Sequence, residues 1–158
     1  MNIQVQNLTI MKSIFNPADN AEIIDRIDKL TPSATALWGK MNAGQMLAHC
    51  QVIIKIPLGE VQSRRGLMGI IFGRIAKKQI LNDQPVKTNL PTFKEAKITN
   101  QKNFDSEKLA LTKLVKKFLS GPEIITKAQH PFFGPLTIDE WDTLQVKHLD
   151  HHLRQFGV

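Results

Sequence analysis

Three of the five histidines in this 158-residue sequence share a feature that marks them out for chemistry. Side chains on a helix step about 100° around its axis, so their directions can be compared from spacing alone. Around residues 42–56, Met46, Ile53 and Ile56 mark an apolar side, His49 sits in its middle, and Gln51 and Lys55 stand opposite. Near the C-terminus, Trp141, Leu144, Leu149, Leu153 and Phe156 sweep out a second apolar arc that includes His148 and His152. His151 falls at the edge of that arc, beside Lys147, Asp150 and Arg154.

A buried imidazole needs partners for both ring nitrogens, because an unsatisfied polar group in an apolar interior is costly. One such residue is ordinarily a satisfied core histidine. Three on core faces ask for more, and an i, i+4 pair lets two imidazoles reach one ion. A third from a facing helix completes a facial set that leaves positions for water or substrate. Neutral imidazole suits zinc, nickel, iron or copper rather than magnesium or calcium, and the expected ion is zinc, nickel or iron. The competing reading is two core histidines and a coincidence.

Other residues enter around that trio. Gln45 lies one turn before His49, where it would either hold a ligand or simply cap the helix. Trp141 lies close in phase to the histidine pair and would wall the pocket. His151 and Asp150 stand at the rim, where proton transfer and ordinary surface are the two readings. Cys50 points about 100° away from His49 and reads as a buried structural thiol. His130, ahead of a proline in "HPFFGP", reads as structural, and Gly66, Gly69 and Gly73 permit close helix approach at a dimer seam or a lid.

Four helices must position these residues. Asn16-Pro17 with Asp19 opens one whose Ile23, Ile24, Ile27 and Leu30 keep helical spacing. "TPSATALWGK" breaks the pattern, and Asn42 with Gln45 forms a capping box for a second helix ending near Ile56. A third spans Ser106 to Ser120 and stops at Gly121-Pro122, and Thr137 with Glu140 caps a last helix running to about Gln155. Residues 60–104 read as a long crossover in which "RRGLMGIIFGRIAKKQI" is either a glycine-bearing helix or a looser apolar stretch. The expected fold is all-α, a four-helix bundle with that crossover between its second and third helices. One domain spans residues 1–158, with residues 1–15 as an N-terminal extension.

Composition sets further bounds. The hydrophobic fraction is 42%, and no apolar run approaches the roughly 18–20 residues that a membrane span needs. A single cysteine, Cys50, excludes an internal disulfide and a cysteine-based zinc knuckle. Met1–Ile10 lacks the pattern of a secretory signal, so a cytoplasmic location with no membrane partner is expected. The net charge of +7 raises a nucleic-acid reading, but the basic residues are scattered, no aromatics interleave with them, and tyrosine is absent.

Three stretches carry a resemblance to a known family. "LWGKMNAGQMLAHC" at 37–50 resembles a tryptophan-bearing turn leading into a helix that ends on a histidine. "HPFFGPLTIDEWDTLQVKHLDHHLRQFG" at 130–157 resembles a turn and final helix with an HxxxH pair, and residues 121–131 fit the connection before it. Together they are similar to the DinB/YfiT-like superfamily of metal-binding four-helix bundles, within an uncharacterised branch. The resemblance implies His49, His148 and His152 as the metal ligands, the set that helical phase also selects. The superfamily's Arg-Gly-Gln after the last ligand is replaced here by "HLRQ" at 152–155, which removes the basis for transferring a role to Arg154 or Gln155.

Members of that superfamily include transferases and isomerases that use a low-molecular-weight thiol, which implies a small-molecule substrate and, as a cofactor, such a thiol beside the metal. The first expectation is therefore a divalent-metal-binding protein, a metal-dependent hydrolase or thiol-dependent transferase. The second is a non-catalytic, stress-related metal-binding or interaction bundle, and the third a basic nucleic-acid module.

Overall fold

The computed structural model describes residues 12–62, 64–127 and 129–158. It is mostly helical: α1 (Pro17–Lys29), α2 (Ala43–Lys55), α3 (Leu67–Ile80), α4 (Phe104–Lys117) and α5 (Ile138–Gln155), with three short 3-10 turns. A two-residue antiparallel ribbon, β1 (Gln129–His130) with β2 (Gly134–Pro135), interrupts the helices just before α5.

The helix starts follow from their caps. The Asn16 side chain accepts from the Ala18 and Asp19 amides with Pro17 in the first turn, which already fits a proline's fixed φ. Both capping boxes form, Asn42 with Gln45 and Thr137 with Glu140. Helix α4 begins at Phe104, earlier than the periodicity places it, because Asn103 caps the Ser106 amide. At its other end it tightens into the 3-10 turn Phe118–Ser120, which closes on Gly121 at φ +103°.

Two corrections concern the chain outside these helices. Of the two readings left open for the stretch before Leu81 the structure takes the helical one, residues 67–80, which makes five α-helices among the described residues where four main ones were expected. The expected N-terminal extension divides: residues 1–11 lie outside the described residues, while Ile14 is fully buried and donates its amide to Asp142 Oδ1 at 2.7 Å. The chain from Lys12 onward therefore belongs to the packed domain.

Helices α1, α2, α4 and α5 supply the main core, in which Ile27, Met46, Leu47, Val115 and Leu149 are essentially inaccessible. Helix α2 runs through the middle and is buried on nearly every side. Gln51, expected opposite the apolar face, is buried too, its amide donating to the Glu107 carbonyl and carboxylate. A second cluster gathers Ile53, Ile56, Ala96, Leu136, Trp141 and Leu144, joining α2 and α5 to the chain between α3 and α4. No helix among the described residues is long and apolar enough to cross a membrane.

His130 locks the turn that leads into α5. Its Nδ1 accepts the amides of Phe132 and Phe133 at 3.1 and 3.2 Å, and its ring stacks on Phe133 with centroids 4.4 Å apart. Burial pulls its pKa from the ordinary 6.5 down to about 3, so the folded protein holds the ring neutral. An unfolded chain would protonate it below 6.5, so this group's contribution is intact above that pH and declines as pH falls toward 3. Replacing His130 by alanine should cost about 1–3 kcal/mol at neutral pH by orphaning the two amides. The gap between parent and variant should then narrow by about 2 kcal/mol on going to pH ~5. Urea unfolding at the two pH values checks this; a constant gap would mean that the ring is not held neutral by burial.

Candidate metal centre

His49 lies on α2, and His148 and His152 lie one turn apart on α5. The structure brings all three together: one nitrogen from each lies within 4.8 Å of the others. Ring centroids are separated by 5.0 Å (His49–His148), 4.7 Å (His49–His152) and 4.6 Å (His148–His152). His49 and His152 are buried, and His148 is partly exposed.

Hydrogen bonds fix two of the three tautomers. The Ala96 carbonyl lies 2.7 Å from His49 Nδ1, and a carbonyl only accepts, so Nδ1 carries the proton and Nε2 presents a lone pair. His152 Nδ1 donates to Gln155 Oε1 at 2.8 Å. The Gln155 amide cannot be reversed, because its NH2 donates to the Trp38 carbonyl at 2.6 Å. His152 therefore also presents a lone pair at Nε2. Gly39, at φ +81°, makes room for this contact: a Cβ there would fall 2.7 Å from Gln155 Nε2.

His148 completes the set. Its Nε2 lies 3.0 Å from His49 Nε2, and its buried Nδ1 has no hydrogen-bond partner among the described residues. Ligands at bonds of about 2.0–2.1 Å and near right angles to one another would stand about 2.9 Å apart, so this spacing fits adjacent ligands of one ion. Burial is the main cause holding all three pKa values below the ordinary 6.5. For His148 the neighbouring histidines add to it, and His152 reaches about 3. Neutral imidazole is the form that binds a metal, so the site stays ligand-competent into mildly acidic solution.

The flanking residues divide. Gln45 does not turn to the histidines: its side chain completes the capping box and donates to the Thr99 and Asn100 carbonyls. Trp141 is fully buried in the second hydrophobic cluster, against His130 at 5.6 Å between centroids, and walls neither the histidine group nor the cavity beside His151. His151 does stand beside the trio, with its ring 5.0 Å from that of His152 and 5.5 Å from Trp38. It lines a cavity of about 560 Å³ with Trp38, Val86, Lys87, Asp150 and Arg154 among its walls. Cys50 is buried against Met46 Sδ, burial pushes its thiol pKa far up, and its sulfur is not among the three atoms that converge.

One partner of the histidines, Ala96, escapes the sequence reading, and another, Gln155, was left without a role there although it holds His152. The Ala96 carbonyl carries no side-chain signature and lies in the stretch where patterns are weakest. Gln155 had a readable signal, its i, i+3 spacing from His152, which places it over the same face of α5.

The chain belongs to a family described as "Protein of unknown function (DUF1569)", which matches residues 11–157. That match gives no link to the DinB/YfiT-like superfamily. No curated protein and no solved structure matches the chain.

Gln155→Leu should leave the fold intact and weaken zinc binding about 10–100-fold, because His152 loses the acceptor that fixes its tautomer. Competition against a chromophoric chelator measures this; unchanged affinity would show that Gln155 does not orient the ligand.

Proposed function

We propose that this member of the DUF1569 family binds a divalent transition metal through His49, His148 and His152, and that the cleft beside His151 admits a small-molecule substrate. The observation that carries the reading is the pair of fixed tautomers. His49 and His152 each spend Nδ1–H on an acceptor, leaving Nε2 lone pairs turned to a common point with no proton of their own to put there. A core built only for packing has no need of three converging imidazoles.

The donor set suits zinc, nickel or iron. Such an ion supplies a lowered pKa to a bound water or thiol, or polarises a carbonyl. The chain's own part is to hold the three imidazoles, exclude competing ligands and receive the substrate. His151, at the cleft wall and half-buried, is placed to take or return a proton, and Lys87 supplies a cation there, while Arg154 is paired with Asp150 on the same wall. A metal-dependent hydrolase or a transferase using a low-molecular-weight thiol fits these parts. The likeness of residues 37–50 and 130–157 to the DinB/YfiT-like four-helix bundles supports both the ligand set and the thiol.

The second reading is a non-catalytic metal-binding bundle, which the enclosure of His49 and His152 favours. A nucleic-acid role has less support, since several of the basic side chains are engaged in ion pairs, Arg26 with Asp150, Lys77 with Glu140 and Lys117 with Glu60.

Elemental analysis of the parent beside His49→Ala and His148→Ala tests the site. About one equivalent of metal in the parent, lost in both variants, is expected; a metal-free parent after reconstitution and gel filtration would remove the proposal. His152→Ala then separates the two readings. A catalytic site loses metal and turnover with little change in melting temperature, whereas a structural one shows a sharp drop in melting temperature.

A further inference from the structure

Helix α3 leaves an apolar face in solvent. Of the eleven large hydrophobic side chains exposed among the described residues, six lie on it: Leu67, Met68, Ile70, Ile71, Phe72 and Ile75, between 46% and 71% accessible. Its buried residues are Gly69 and Gly73. These press on the turn at 131–132, where a Cβ at Gly73 would come within 2.2 Å of the Phe132 carbonyl and one at Gly69 within 2.8 Å. The glycine side, expected to serve close helix approach between copies or in a lid, is therefore already used within the chain. Arg65 donates to the Gly69 carbonyl within the helix's own first turn, and Lys77, bonded to the Pro135 carbonyl and Glu140, ties the C-terminal part of the helix to the body.

Charge decides what covers the outward side. Between Glu60 and Asp83 there is no acidic residue, while Arg64, Arg65, Arg74, Lys77 and Lys78 all fall there. Leu67, Ile71 and Ile75 form an i, i+4 stripe, and by helical phase Arg74 and Lys78 stand on the same outward side. A second copy pairing through this face would set cations against cations with no carboxylate on the segment to answer them. An anionic lipid surface answers both features: it takes up the apolar stripe, and the long basic side chains reach back to its headgroups. At fourteen residues, about 21 Å, the helix lies in such an interface and does not span it.

We infer that α3 docks this protein on anionic membrane surfaces, with Leu67, Ile71 and Ile75 entering the headgroup boundary and Arg64, Arg74 and Lys78 contacting lipid phosphates. The inference is independent of the histidines, so binding persists when metal is removed by a chelator. Co-sedimentation of the full chain with phosphatidylcholine vesicles, with and without phosphatidylglycerol, tests it. Binding is expected only when phosphatidylglycerol is present. The paired substitutions Ile71→Ser with Ile75→Ser, and Arg74→Glu with Lys78→Glu, should each weaken it about tenfold or more. All four positions are solvent-exposed, so circular dichroism and metal content should match the parent. No binding to phosphatidylglycerol vesicles overturns the inference, as does equal binding by the Ile71→Ser, Ile75→Ser variant. A parent that is dimeric in solution, turned monomeric by that variant and indifferent to vesicles, overturns it too and assigns the face to a second copy.

Discussion

The cost of placing imidazoles in an apolar interior governs the arrangement around this site. A ring nitrogen without a partner is penalised there, and a protonated ring is penalised more. The protein meets the first demand at His49 and His152 with one acceptor each, the Ala96 carbonyl and the Gln155 amide oxygen. It meets the second by holding every ring neutral. What remains is a 3.0 Å hydrogen-bond contact between His49 Nε2 and His148 Nε2, the Nε2 lone pair of His152, and the Nδ1 of His148, which has no partner among the described residues. An ion at the convergence point would answer the lone pairs at once.

Those acceptors tie distant parts of the chain to the site. The Ala96 carbonyl comes from a 3-10 turn between α3 and α4, so the stretch that connects those helices is a support for His49 rather than a passive link. Gln155 ends α5 and reaches the Trp38 carbonyl, while the Leu37 amide donates to the Gln155 carbonyl at 2.8 Å. The turn at 37–39 and the last turn of α5 are thereby clamped in two directions, and the glycine at 39 is what allows so close an approach. The ligand geometry is thus held by three segments far apart in sequence, which is how a site on two helices becomes rigid.

Much of this was legible in the residues. Caps are local chemistry, so Asn16, Asn42 and Thr137 announced their helices. Phase is local geometry, so His49, His148 and His152 could be selected without knowing how α2 and α5 meet. The failures share a physical cause. Gln51 stands opposite the apolar side by helical phase, yet α2 is surrounded, and its side chain is buried and satisfied by Glu107. Gln45 could serve the cap or the site from the same position, and only the proximity of Thr99 and Asn100, fixed by tertiary structure, decided for the cap. A backbone acceptor such as Ala96 leaves no trace in residue type.

Helix α3 was ambiguous for a different reason: its pattern is not that of a core helix. Three glycines and a hydrophobic run without a polar face fit neither an amphipathic helix nor a loop, and the structure explains why. Two of the glycines form the inner surface, because a side chain there would collide with the Phe132 backbone, so the apolar residues that would normally face a core are displaced outward. Phe132 in turn is held by the hydrogen bond that its amide donates to His130 Nδ1, and the His130 ring packs against Trp141 at the root of α5. The turn that positions α3 is therefore anchored in the cluster that contains Ala96, the acceptor for His49.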